Sequence, residues 1–305
     1  MIGVNKLKTN GILKQIRKNK ISYLMLSPYL ILFALFTLLP VLSAVVLSFT
    51  YYNFFESPTF IFLANYQKLF LADDVFLIAF KNTMLIAVIT GPISYMICFL
   101  LAWAINDFSP VVRAILTTVF YAPSISGAVY MIWQLIFSSD SYGIINSFLM
   151  NFGFKNEPIL WLQDSNYVLT VVIIVSLWLS LGTSFLAFIA GLQGIDRSLF
   201  EAGTVDGITN RWQELWYITL PSMKPQLMFG AIMQITASFG VGEVSQNLAG
   251  LPSVDYAAHT LVNHITDYGN TRFEMGYASA IATILFILMV GTNKLVQTLL
   301  NKMGN

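Results

Sequence analysis

The chain is 305 residues long, 56% hydrophobic and only 10% charged, with a formal net charge of +1. Soluble globular domains carry about 25% charged residues, so most of this chain belongs in lipid. The near-neutral charge names no partner, and nucleic acid is not expected among them. A single cysteine, Cys98, excludes an internal disulfide and a cysteine-rich metal site.

Six stretches lack any charge: those between Lys20 and Glu56, Lys81 and Asp107, Arg113 and Asp140, Asp164 and Asp196, Lys224 and Glu243, and Glu274 and Lys294. A bilayer-spanning helix needs roughly 17–25 apolar residues. Six transmembrane helices are therefore predicted, near 22–50, 80–105, 112–137, 168–193, 226–245 and 275–299. The first is too long for a signal-peptide core and follows Lys14, Arg17, Lys18 and Lys20, as in an uncleaved anchor. Residues 1–20 read as an N-terminal tail and 21–305 as one transmembrane domain.

Alternating sides along these spans sorts the basic residues unevenly. Lys68, Lys81, Lys155 and Arg272 fall on one side; the other twelve share the side of the two termini and of the 195–221 loop. The positive-inside bias makes that side cytoplasmic. Each external loop looks ordered. Phe54–Ala79 carries Tyr66, Phe70 and Phe76 near Asp73 and Asp74; Ser138–Tyr167 has no low-complexity run; Gln246–Phe273 includes the turn signal Gly250-Leu-Pro252. These loops either cover helix ends or form a rim for a soluble partner.

Several activities lack their residues. There is no G-x-x-x-x-G-K-[ST] phosphate loop and no H-E-x-x-H. The two histidines, His259 and His264, lie in an external loop and are expected to sit in solvent, with no metal site. No serine occupies a nucleophile elbow. The span cores carry no Asp, Glu, His or Lys of the kind that couples ion gradients, apart from Glu243 near a helix end. No catalysis by this chain is expected, and its energy source belongs on another chain.

EAGTVDGITNRWQELWYITLP, Glu201–Pro221, lies between the fourth and fifth spans. Asp196 can cap a first short helix whose Leu199, Ala202 and Val205 share a face. Gly207 can end it in a left-handed conformation. Asn210 can cap a second helix with Gln213 reaching back; Trp212, Leu215, Trp216 and Thr219 form its inner face, and Pro221 stops it. Ala202, Gly203 and Gly207 are small enough for close approach by a partner, and Glu201 can pair with a partner's arginine. An ordinary interfacial amphipathic loop fits the same pattern.

The stretch resembles the cytoplasmic EAA loop of ATP-binding-cassette importer permeases, with Glu201-Ala202-Gly203, Asp206-Gly207 and Ile218-Thr219-Leu220-Pro221 in order; Gly203 replaces the family's second alanine. ANYQKLF (64–70), FKNTMLIA (80–87), YAPSISGAVYMIWQLIF (121–137), GIIN (143–146) and EMGYASAIA (274–282) are similar to the maltose-type carbohydrate permeases.

The resemblance implies an all-α polytopic protein of the type I importer permease fold in a prokaryotic plasma membrane, both termini cytoplasmic. Glu201, Ala202, Gly203, Asp206 and Gly207 would form the coupling helix that docks on an ATPase subunit. It also implies a second homologous permease chain, two ATPase subunits and an extracytoplasmic sugar-binding protein. ATP and magnesium would be bound by the ATPases, so no cofactor is expected on this chain.

For the sugar, the resemblance points to Ser176, Ser180 and Thr183, spaced to share one face of the fourth span, with Trp178. On the fifth it points to Met233, Thr236 and Ala237, with Gln234 and Ser238 beside them. Ser124 and Ser126 lie where Pro123 could break the third, and Tyr121, Trp133 and Gln134 are further candidates. Ser176 and Thr183 replace an asparagine and a tyrosine of the maltose-type site, which implies a roomier cavity and leaves room for a larger glycan. The alternatives are a polyol or glycerol 3-phosphate cargo, or a receptor or scaffold with no transport role.

Overall fold

A computed structural model describes residues 19–127 and 129–303; most of the basic N-terminal tail lies outside them. Among the described residues five helices are long and apolar enough to cross a membrane, and six if one bent pair counts as a span.

α1 (Lys20–Leu47) is a span with none of its apolar window buried. Its last turns run beside the final helix. A two-stranded antiparallel hairpin follows, Thr50–Tyr51 against Thr59–Phe60. Then come the short α2 (Ala64–Leu71) and the long α3 (Asp74–Asn106). α3 starts where Asp73 accepts a hydrogen bond from Phe76 N–H at 2.9 Å, so it begins well before the expected residue 80. α3 is the hub, packed on both the fourth- and fifth-span helices.

The third span is not one helix. α4 (Pro110–Ile125) and α5 (Val129–Ile136) meet at 84°. Pro123 lies inside α4 and Ser126 is extended at its end, so the chain turns within three residues. α6 (Ile144–Asn151) covers the loop beyond. The fourth span is interrupted too: α7 (Val168–Leu179) gives way at Ser180–Gly182 to α8 (Thr183–Gln193). Two short helices follow, α9 (Arg197–Val205) and α10 (Arg211–Glu214).

Pro221 does not stop α10. The helix passes through a π-turn, Leu215–Thr219, in which Leu220 N–H bonds to Leu215 O, and continues to Ser222. Widening the turn just before the proline accommodates its ring and missing N–H without ending the helix. The fifth span is α11 (Lys224–Phe239) plus α12 (Gly242–Ala249), broken at Gly240–Val241 and reaching past the expected 245. After α13 (Leu261–Thr266), α14 (Met275–Met303) completes the fold.

Both histidines depart from expectation. His259 and His264 are each 1% exposed. The 254–266 segment folds inward because its backbone finds partners there. Asn82 donates to Tyr256, Ala257 and His259 carbonyls, Ser245 to Ala258 O, and Leu261 N–H bonds to Thr83.

Candidate functional site

The three helix breaks converge. Around them lies a cavity of about 400 Å³. α3 contributes Thr90 and Ser94; the α4–α5 corner contributes Pro123 to Gly127 with Val129 and Tyr130. α7 adds Ser176, Leu179 and Ser180, and the α11–α12 break adds Gln234, Ala237, Ser238, Gly240, Val241, Glu243 and Val244. Irregular backbone survives at membrane depth only where protein or a water-filled cavity satisfies it, and the α7 break shows how. The freed Ser180 carbonyl accepts from Gln234 Nε2 at 3.2 Å and from Cys98 Sγ at 3.4 Å.

The hydroxyls are already oriented. Ser124 donates to Tyr121 O at 2.8 Å, Ser176 to Val172 O at 2.6 Å, Ser180 to Leu177 O at 2.6 Å, Ser238 to Ile235 O at 2.9 Å and Thr90 to Ile86 O at 2.8 Å. Each hydrogen is spent on its own helix, so each oxygen keeps acceptor capacity. Ser94 Oγ is buried with no partner among the described residues. The cavity therefore presents a cluster of acceptors suited to hydroxyl donors. Glu243 carries the one formal charge among its lining residues.

Of the residues expected at a sugar site, Ser124, Ser126, Ser176, Ser180, Gln234, Ala237 and Ser238 line this cavity; Trp178, Thr183, Met233 and Thr236 do not. The shared face of Ser176, Ser180 and Thr183 assumed an unbroken helix, and the interruption at Ser180–Gly182 carries Thr183 off it. Trp178 instead lies 5.3 Å from Trp133, edge to face. Tyr121, Trp133 and Gln134 also fall outside, Gln134 donating to Asn247 O. Thr90, Ser94 and Tyr130 were missed. The signal for the first two was polar residues around Gly91-Pro92 in a greasy span.

The 195–221 segment sits at the far end of α3 from its Asp73 cap. Asp196 accepts from Ser198 N–H at 3.0 Å, and Gly207 has φ +91°. Asn210 accepts from Gln213 N–H at 2.9 Å, but Gln213 reaches back to Thr209 N–H, not to Asn210. The Asp196 carboxyl is held below the usual carboxylate range by its bonds to Ser198 backbone and side chain.

Gly203 is the buried residue of α9. A Cβ there would fall 2.6 Å from Ile218 Cδ1, so its smallness serves packing inside the chain. Glu201, Ala202, Val205, Asp206 and Gly207 are exposed, and Glu201 has no ion-pair partner among the described residues. The inner face of the second helix is Leu215, Ile218 and Thr219; Trp212 and Trp216 are more than 60% exposed. The π-turn shifts the register of everything after Glu214, which is why helical spacing misplaced them. Arg211 clamps the segment to α3: it pairs with Asp107 at 2.6 Å and lies 4.4 Å over the Trp103 ring, which Trp212 also contacts.

A family model described as "Binding-protein-dependent transport system inner membrane component" matches residues 101–303. The chain belongs to that family. The match spans α4 to α14, including the segment with Glu201 and most of the cavity. The chain is 33% identical over 283 residues to the probable ABC transporter permease protein YesP of Bacillus subtilis (strain 168), covering 90% of this chain and 89% of the relative. It is 28% identical over 275 residues to the arabinooligosaccharides transport system permease protein AraP of the same organism, covering 90% and 86%. A solved bacterial ABC transporter involved in the import of the acidic polysaccharide alginate superposes with a TM-score of 0.76 at 22% identity, covering 96% of this chain and 99% of that one. Family and fold together make the chain an all-helical, multi-pass membrane protein and a permease subunit.

Proposed function

We propose that this chain carries an uncharged oligosaccharide across the membrane as one permease subunit of an ATP-driven importer. The observation that carries this reading is the serine-lined cavity at the meeting point of three broken helices, within a family that works with binding proteins. Sugar hydroxyls are donors as well as acceptors, and pre-oriented serine oxygens suit them. A relative named for arabinooligosaccharides supports the cargo class. Glu243 in the lining, with no Lys or Arg beside it, disfavours glycerol 3-phosphate or any other anion, since a buried-site anion calls for a basic partner.

The importer assembles from this chain, a second homologous permease that supplies the other half of the cavity, two ATPase subunits and an extracytoplasmic sugar-binding protein. ATP and magnesium belong to the ATPases. Both termini and the 195–221 segment face the cytoplasm, as the lysine and arginine distribution supports. Glu201, Ala202, Asp206 and Gly207 contact the ATPase, while Gly203 seats α9 on Ile218. ATPase closure moves α9; α10 and the Arg211 clamp pass the movement to α11 and α3, which both line the cavity. The cavity then opens outward, and resetting opens it inward.

Co-purification followed by ATP-dependent uptake into proteoliposomes tests this reading. Recovery of an ATPase and a second permease, with uptake of neutral oligosaccharide well above that of its uronate analogue, is expected. Glu243→Lys should narrow that preference. A folded chain that recovers neither subunit contradicts the assembly, and equal uptake of both sugars contradicts the cargo charge.

A further inference from the structure

Four buried side chains form a linear relay at the α13 end of the molecule. Asp73 Oδ2 accepts from Tyr277 Oη at 2.6 Å and meets His264 Nε2 at 3.0 Å. His264 Nδ1 meets His259 Nε2 at 3.2 Å. His259 Nδ1, the last atom of the series, is buried without a partner among the described residues. The four residues are 1–9% exposed.

Proton counting fixes what the relay can hold. Burial alone would raise the Asp73 carboxyl, but hydrogen bonds from His264, Tyr277 and Phe76 hold it well below the usual range. Asp73 is therefore an acceptor, and His264 Nε2 carries a hydrogen. One proton then lies between the two imidazoles, on either His264 Nδ1 or His259 Nε2. A proton on both would set N–H against N–H across the 3.2 Å contact, and the bond linking them would be lost.

The relay reaches the cavity wall through the segment it pins. Asn263, one residue before His264, donates to Gly242 O at 2.9 Å. Gly242 leaves no room for a Cβ, which would lie 2.5 Å from Val262. Gly240, Val241, Glu243 and Val244 on either side of Gly242 line the cavity. We propose that Asp73, Tyr277, His264 and His259 form a proton-limited latch that holds the 254–266 segment against the back of the cavity wall, and that acid releases it. The proposal does not depend on which cargo occupies the cavity.

Charged and titratable neighbours set the working range. Burial and the neighbouring His264, with Arg272, push His259 down to about 4, against the pull of Asp267 and Asp73. Arg272 pairs with Asp267 and covers Tyr268, whose ring faces His264; Lys68 pairs with Glu274 and covers Tyr277; Tyr256 faces His259. The folded value of His259 lies below its ordinary 6.5, so the fold favours the neutral ring. The latch is at full strength above about 6.5 and is lost as pH falls from there through about 4.

The two histidines are the chain's only ones, which makes imidazole ¹⁵N spectra of the full chain in lipid nanodiscs assignable. His259 is expected to stay neutral until pH approaches 4; free titration of both rings near 6.5 would overturn the proposal. A nitroxide attached at Glu243→Cys then reports on the wall. Its mobile fraction should rise several-fold between pH 6.5 and 4. In the same chain with His259→Gln, whose amide can donate to His264 without titrating, it should stay flat. The same pH response in both, or none in either, refutes the latch.

Discussion

Gln234 shows how much one side chain can decide. Its amide donates to Cys98 Sγ and to Ser180 O, closing the gap left where α7 ends, and the same residue lines the cavity. A buried carbonyl deprived of its donor costs about 1–3 kcal/mol. Gln234→Leu is therefore expected to lower the thermal midpoint and weaken uptake together, both read on the purified assembly. Gly203 and Glu201 should separate instead. Gly203→Val drives a side chain into Ile218, and such overpacking costs about 1–3 kcal/mol; its midpoint should fall. Glu201→Ala removes an exposed carboxylate and should leave the midpoint unchanged while uncoupling ATP hydrolysis from uptake. A midpoint loss in Glu201→Ala, with transport intact, would assign that residue to the fold alone.

At the scale of elements, the Arg211 clamp decides how movement of α9 and α10 reaches the spans. Its ion pair with Asp107 is about half exposed on both sides, so it adds less than about 1 kcal/mol to stability. Arg211→Ala should accordingly leave the midpoint nearly unchanged but lower the number of sugars moved per ATP. The charge swap Arg211→Asp with Asp107→Arg should recover part of that ratio. No change in the ratio would mean that α3 takes no part. Much of this level was legible in sequence, because caps and charge-free stretches are local signals: Asp196, Gly207 and Asn210 behave as their residue types dictate. What escaped was the effect of interruption. The π-turn before Pro221 and the break at Ser180–Gly182 rotate everything downstream, so Trp216 and Thr183, placed by regular spacing, ended elsewhere. The histidines escaped for a different reason. Their burial depends on Asp73 and Tyr277, nearly 200 residues away in sequence for Asp73, and no local pattern brings those together.

For the whole molecule, the apolar surface of α1 and the low burial of the spans fit a chain completed by lipid and a partner. The cavity is open and only half enclosed by this subunit in the proposed assembly. Its position, not its chemistry alone, is the central claim: cargo passes where the three broken spans meet. Neighbouring residues on α11 separate that claim from nonspecific damage. Ala237 lines the cavity and Thr236 does not, and both are exposed, so neither substitution disturbs a packed core. The decisive measurement is ATP-dependent oligosaccharide uptake by reconstituted importer carrying Ala237→Trp or Thr236→Trp. Uptake is expected to fall to background with Ala237→Trp while assembly persists, and to survive Thr236→Trp. Equal uptake by the two variants would contradict a transport path through this cavity.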